Sequence, residues 1–264
     1  EGAFSTSGII DQKLQKKFID ALIRLDQIVK QYDADQYRVI GTSALREASN
    51  SDEVIARVEK ETGLRIEVIS GEEEGRLGHL AVVNELDFDD QTALLVDIGG
   101  GSVEISIVTK KEILSTQSYK FGTVRMLKSM ECEEGAKRFT RLVNRFAEIV
   151  RNRLESELKL NKIDLAVCTG GNCESLAELA KKLYDRENEF ELKRKDLKRL
   201  TKYLGGLDYS QRVEILGLRL DRADVIYPAS IVLSEIASRA DVKQFYVPHV
   251  GVKHGLLWDM LENE

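Results

Sequence analysis

Three stretches of the sequence set chemically capable residues among small and apolar ones. In "LLVDIGGGSVEISIV" (residues 94–108), Gly99, Gly100, Gly101 and Ser102 separate two apolar runs, with Asp97 before them and Glu104 after. Glycines allow a sharp turn and close approach to a ligand, and successive peptide N–H groups in such a turn form a concave anion site. Asp97 is of the type that orients a divalent metal or a water beside a phosphate. "GTSALREASN" (41–50) leaves an apolar run with hydroxyls, Ser43 among them, followed by Arg46 and Glu47. "VISGEEEGRLGHL" (68–80) gathers Glu72, Glu73 and Glu74 at the start of a periodic segment. Each stretch also has a plain structural reading: a tight hairpin with solvated acids, a helix start, and acids that offset a helix dipole. The glycine loop lacks the lysine and following helix of a P-loop, and the helix that a dinucleotide fingerprint requires. Residues 103–108 alternate like a strand instead, which predicts a strand–glycine loop–strand hairpin suited to gripping a phosphate.

The elements that must position these residues alternate between the two periods. Leu14, Phe18, Leu22, Leu25, Val29 and Tyr32 predict one apolar face of a helix over 11–32. A short strand is expected at 37–43. A helix is expected over 50–63, with Asn50 as N-cap and Gly63 as its stop. Strands are expected at 65–70, 92–98, 103–108 and 113–119, and a helix at 71–86. Beyond these come helices near 122–131 and 135–159, a strand at 163–169, and a helix near 172–184 after Gly170-Gly171. The rest is mostly helical, with helices at 196–206 and 223–240, a strand at 243–248 and a closing helix at 251–261. Strands alternating with helices predict an α/β class.

The 264 residues are 42% hydrophobic and 32% charged, which suits a soluble globular protein of one large or two ordinary domains. The formal net charge of -6 argues against a nucleic-acid coat or an anionic membrane surface as partner. No apolar run approaches spanning length, and the chain has no start resembling a signal peptide. Cys132, Cys168 and Cys173 have no metal-type spacing, and their odd number argues against a disulfide framework. A cytoplasmic, reducing setting is the expectation, with Cys168 and Cys173 as small buried thiols.

Taken in order, "TSALREA-N", "VISGEEE-RL", "VDIGGGS-E" and "GTVRM" resemble the exopolyphosphatase/guanosine pentaphosphate phosphatase (Ppx/GppA) family. A weaker likeness runs through "LDYSQRVEILGLRLDRADVIYPASIVL" to "GVKHGLL". The resemblance implies two related domains of the actin-like/sugar-kinase (ribonuclease H-like) superfold with a cleft between them. They are expected at 1–121, carrying Glu74 and the Gly99–Ser102 loop, and at 122–264, the last helix packing back on the first domain. It also implies Mg²⁺-dependent removal of terminal phosphate from inorganic polyphosphate, guanosine pentaphosphate (pppGpp) or both. Glu74 matches the catalytic base, Arg46 the phosphate-contacting arginine, Asp97 and Glu104 the acids near metal and water, and Gly99 to Ser102 the second phosphate loop. Ser43, Gly170, Gly171 and Asn172 are expected at the substrate. Hydrolysis of a phosphoanhydride needs positioning, charge neutralisation and an oriented water, and clustered carboxylates can raise the pKa of the base. Members of that family often pair, so a homodimer is an expectation carried by the resemblance alone.

The resemblance also calls for a "DxGSNS"-type first phosphate loop ahead of the present start, so the sequence is read as a short two-domain form trimmed at its front. Val103 stands where threonine is common, Gly75 where alanine is common, and Asn172 where threonine usually comes after the paired glycines. His79, His249 and His254 show no ligand-like pattern, and a packed His79 is the expectation. Trp258 with Leu256 and Leu257 reads as core. Arg125 is a further candidate for phosphate contact, and the basic run "LKRKDLKRL" (192–200) reads as a solvated helix face or a guide for a polyanion. Two rival functions remain: a non-catalytic member that binds a phosphate-rich ligand, and a kinase of the same superfold, for which no acceptor site is visible.

Overall fold

The computed structural model describes residues 8–130, 135–160 and 162–263. Residues up to Glu74 form one compact unit and those from Gly75 onward a second.

The first unit holds α1 (Gln12–Gln31), β1 (Val39–Gly41), α2 (Ser43–Glu47), α3 (Ser51–Thr62), β2 (Ile66–Val68) and the start of α4 (Gly71–Glu85). β1 and β2 pair in parallel. Parallel neighbours need a crossover, which α2 and α3 supply. The Asp11 carboxylate accepts the Leu14 N–H at 2.8 Å and starts α1. Gln15, Ile19 and Leu22 form its buried face, with Leu14 and Phe18 partly buried beside them. The predicted face is thus only half right: Leu25 and Tyr32 are exposed, because the Val54 and Val58 core of α3 meets the first half of the helix. Asn50 precedes α3 but makes no side-chain cap. Its amide exchanges two hydrogen bonds of 2.9 Å with the backbone of Ile10 and so ties the beginning of the described chain to α3.

The second unit continues α4 and contains β3 (Ala93–Ile98), β4 (Val103–Val108), β5 (Ile113–Tyr119), α5 (Thr123–Met130), α6 (Gly135–Leu160), β6 (Leu165–Thr169) and α7 (Gly171–Tyr184). After these come β7 (Glu191–Lys193), α8 (Arg194–Gly205), α9 (Tyr209–Glu214), α10 (Leu220–Ala223), α11 (Ile226–Arg239), β8 (Gln244–Tyr246) and α12 (Val252–Glu262). One sheet runs in the order β5-β4-β3-β6-β8-β7. β3, β4 and β5 form an antiparallel meander, β6 and β8 extend it in parallel, and β7 closes the edge antiparallel. A central mixed sheet flanked by helices is the α/β class expected from the sequence. The boundary expected at 121/122 falls inside this sheet, since β3 and β6 pair across it.

Alternation along β3 and β4 separates two cores. Leu94, Val96, Ile98, Val103, Ile105 and Ile107 face the larger one, shared with α6, α7, α8 and α11. Ala93, Leu95 and Val108 face the other, closed by Ala81 and Val82 of α4. Asp97, Glu104 and Ser106 continue that second face by the period of two. Among the described residues three elements escaped the sequence reading: β7 overlaps the front of the basic run, α9 is started by a reciprocal capping box between Asp208 and Gln211, and α10 is a single turn at Leu220–Ala223. The helix expected at 223–240 is α11, which starts at Ile226 with Pro228 in its first turn, where its missing N–H costs nothing.

Trp258 is not core. It is 40% exposed and Leu257 59%, while Leu256 is buried, because α12 turns its other side to α4, where Arg76 Nη2 meets Asp259 Oδ1 at 2.7 Å. Cys168 and Cys173 are joined as a disulfide, their Cα atoms 5.9 Å apart. The expectation of two free buried thiols is thereby corrected: the Gly170-Gly171 turn brings the end of β6 to the first turn of α7. Cys132 lies outside the described residues. Among the described residues no helix is long and apolar enough to cross a membrane.

Candidate functional site

The glycine loop joins β3 to β4, and all its carbonyls are taken. Gly99 N–H donates to Ser102 O at 3.0 Å. Gly99 O accepts from Thr123 N–H, Gly100 O from Val124 and Arg125 N–H, and Gly101 O from Gly122 N–H, at 2.9–3.3 Å. Arg125 Nε adds a bond to Gly101 O at 3.1 Å. The "GTVRM" segment is therefore the support of the loop. A Cβ at Gly122 would overlap the backbone of Gly100 and Gly101, so only glycine allows this approach. With the carbonyls turned to α5, the N–H groups of Gly100, Gly101 and Ser102 have no hydrogen-bond partner among the described residues. Such a run of unengaged N–H groups is the physical basis of an anion cradle.

Beside this loop a polar row crosses four strands. Ladder register aligns Ser118 of β5 with Glu104 of β4, Glu104 with Asp97 of β3, and Asp97 with Thr169 of β6. Ser118 Oγ donates to Glu104 Oε1 at 2.7 Å, and Thr169 Oγ1 donates to Asp97 Oδ2 at 2.9 Å. Glu104 is buried at 4% exposure. Burial pushes the Asp97 carboxyl above the ordinary carboxylate range, the Thr169 hydrogen bond opposes this, and the nearby Glu174 charge adds to the rise. Two opposed carboxylates suit Mg²⁺, which takes one or two carboxylates and completes its shell with water and phosphate oxygens. Among the described residues no group of three or more His, Cys, Asp or Glu side chains gathers as a metal cage.

The loop after β6 locks the row from the side. Gly170 has φ +87°, and a Cβ there would stand 3.0 Å from Asp97 Oδ1. Asn172 is buried, and its Nδ2 donates to Ile98 O at 3.0 Å, just ahead of the glycine loop. Arg222, at the end of α10, reaches Asn172 Oδ1 at 3.4 Å and covers Gly171. Arg222 was not singled out from the sequence. Its only signal there is an arginine in "LDRADV", 50 residues from the side chain it meets.

In the first unit, Arg46 of α2 donates from Nη1 to Ile69 O at 2.7 Å. Both Nη1 and Nη2 reach Glu74 Oε2, at 3.2 and 3.3 Å. The side chains of Arg46 and Glu74 are 24% and 12% exposed. Glu74 sits in the first turn of α4, behind Ser70, whose Oγ accepts the Glu73 N–H at 3.0 Å. Ser43 is buried, and its Oγ donates to Glu47 Oε1 at 2.9 Å. Arg46 and Glu74 are thus brought together, as are Asp97, Glu104 and the glycine loop, each set within its own unit. His79 is packed as expected, with Nε2 2.8 Å from Thr109 O.

The family model of the Ppx/GppA phosphatase family matches residues 1–264. The chain belongs to the Ppx/GppA phosphatase family. Among curated Ppx/GppA relatives, Exopolyphosphatase 1 of Mycobacterium leprae is 28% identical over 273 residues, covering 99% of this chain and 79% of that protein. Exopolyphosphatase 2 of Mycobacterium tuberculosis is 29% identical over 253 residues, covering 89% and 78%. The crystal structure of an exopolyphosphatase from Cytophaga hutchinsonii superposes with a TM-score of 0.88 at 26% identity, over 98% of this chain and 85% of that one. The Aquifex aeolicus Ppx/GppA structure, at 23% identity and TM-score 0.77 over 99% and 86%, shares the fold.

Proposed function

We propose that this Ppx/GppA member is a phosphoanhydride hydrolase that removes terminal phosphate from inorganic polyphosphate, from guanosine pentaphosphate, or from both. The observation that carries the reading is the set of unengaged N–H groups at Gly100, Gly101 and Ser102 beside the opposed carboxylates of Asp97 and Glu104. In this reading the loop N–H groups bind the oxygens of the phosphate to be released, without reorganising as negative charge builds. Arg46 neutralises phosphate charge, and its guanidinium exchanges Glu74 Oε2 for a phosphate oxygen. Glu74 takes the proton from the attacking water. Asp97 and Glu104 are the carboxylates that would hold Mg²⁺. Mg²⁺ when bound supplies charge neutralisation at the phosphate oxygens. The fall of these residues into a family whose named relatives are exopolyphosphatases supports polyphosphate as substrate.

The test is phosphate release with Mg²⁺ from polyphosphate and from guanosine pentaphosphate, by the chain and by Glu74→Ala. Release that is lost in the variant supports the reading. The Arg46–Glu74 pairing favours a second one, in which Glu74 stays engaged and the protein binds a phosphate-rich ligand without cutting it. Binding of polyphosphate without release, equal in both proteins, would establish that alternative.

A further inference from the structure

Lys195, Lys198, Arg199 and Lys202 are related along α8 by spacings of three (195/198, 199/202) and four (195/199, 198/202), so they fall on one face. All four are exposed, opposite the buried Leu197, Leu200 and Leu204. Arg199 lies 4.0 Å over the Tyr184 ring and 3.8 Å from Asp196 Oδ1. The side chains of the three lysines make no hydrogen bond or ion pair among the described residues. The one acid in the first turn, Asp196, is buried and already receives two hydrogen bonds of 2.8 Å from Arg186. It leaves the charge of the stripe standing.

Helix stability does not account for this pattern. A helix favours acids in its first turn and cations in its last, and like charges at i,i+4 repel. α8 does the opposite: Arg194, Lys195, Lys198 and Arg199 crowd its first half, and Lys195–Arg199 and Lys198–Lys202 are like-charged i,i+4 pairs. The chain as a whole carries a net charge of -6, so the concentration of cations is local. The arrangement becomes favourable once a dense anion lies along it.

We propose that this face of α8 is an accessory track that holds linear polyphosphate apart from the glycine loop. The proposal rests on the hydrolase reading above and deepens it, because it favours an extended substrate. From Lys195 to Lys202 the stripe spans about 10 Å, which faces several successive phosphates. Ammonium point charges suit a chain with a negative charge at every phosphate.

The test compares the chain with the triple variant Lys195→Ala, Lys198→Ala, Lys202→Ala, using long-chain polyphosphate and tripolyphosphate as substrates. Loss of three charge contacts raises KM for the long chain by roughly tenfold or more at moderate salt, and lowers the slope of log affinity against log salt by about two. Tripolyphosphate kinetics and the thermal midpoint stay unchanged. An unchanged long-chain KM and salt slope would overturn the track. If neither substrate yields phosphate with the unaltered chain, the hydrolase reading fails instead. Fluorescence-polarisation binding of labelled long-chain polyphosphate then decides the track alone: weaker, less salt-dependent binding by the variant supports it, and equal binding overturns it. A single-stranded oligonucleotide that displaces polyphosphate at equal charge concentration would overturn the assigned occupant.

Discussion

Asp97 and Glu104 stand directly opposite each other in the β3–β4 ladder, on the same face of the sheet. Side chains so placed have Cβ atoms roughly 5 Å apart, where like charges repel. Each carboxylate accepts from a hydroxyl on its outer neighbour, Thr169 for Asp97 and Ser118 for Glu104. A strand that served only stability would put an apolar residue here, as β3 does on the same face at Leu95 and Ala93.

Asp97→Asn is therefore expected to stabilise the fold while abolishing phosphate release. Burial raises the folded pKa of Asp97. Its unfavourable contribution is thus absent below the unfolded value of about 3.9 and grows as pH rises above it, because the unfolded carboxyl ionises more readily. Denaturant melts at pH 7 and near pH 4 check this. A gain at pH 7 that shrinks toward pH 4 is expected; equal or lower stability of the variant at pH 7 would contradict it.

Gly122→Ala tests the loop support. The added methyl overlaps the Gly100 and Gly101 backbone, so α5 must withdraw or the loop must deform. A cost of about 2 kcal/mol is expected, together with loss of phosphate release far beyond what that destabilisation explains. Melts and turnover measured on one preparation separate the two effects. Full activity would show that the loop shape is not needed.

The strands around the site were legible because their periodicity is clean. β4 and β5 have the bounds expected, since "VEISIV" alternates and "TKKE" turns the chain. The tight hairpin turn between β3 and β4 was legible from its glycines. The pairing of Asp97 with Glu104 was not, because it depends on ladder register, which a strand pattern leaves open by whole steps. Arg222 and Asn172 meet only after α7 to α10 have folded between them. Trp258 misled because residue type says nothing about which side of α12 faces α4. The disulfide was hidden by an odd cysteine count that mixes one cysteine elsewhere with a local pair.

That pair gives a direct count. With Cys168 and Cys173 joined, thiol titration of denatured, unreduced protein finds one free thiol, and three after reduction, from the three cysteines of the chain. Closing so short a loop restrains the unfolded chain by about 2 kcal/mol, so reduction lowers the thermal midpoint. Three thiols before reduction would show the pair to be open.

His79 sets a pH dependence of the opposite sign to Asp97. Burial lowers its folded pKa, opposed by the hydrogen bond to the Thr109 carbonyl. Its contribution is complete above the unfolded value of about 6.5 and is lost as pH falls toward the folded value, because the unfolded imidazole takes up the proton first. Stability is expected to decline by up to about 1.4 kcal/mol per pH unit in that window. His79→Gln should flatten this slope in melts between pH 7 and pH 5, and an unchanged slope would place its origin elsewhere.

Gly75 of α4 lies against Thr116 of β5 across the helix–sheet contact. A Cβ at Gly75 would stand 2.6 Å from Thr116 Oγ1, which shares a 2.7 Å hydrogen bond with Ser106 Oγ. Gly75→Ala alone forces Thr116 to turn and breaks that bond, at a cost of about 1–2 kcal/mol. In a Thr116→Ala background the contact relaxes to ordinary packing, with the former Thr116 Cβ 3.7 Å away. There the helix propensity of alanine makes the same substitution stabilising by up to about 1 kcal/mol. A change of sign between the two backgrounds, read from urea midpoints of the four proteins, is the expected outcome. Additive effects would mean that Thr116 is not what keeps Gly75 a glycine.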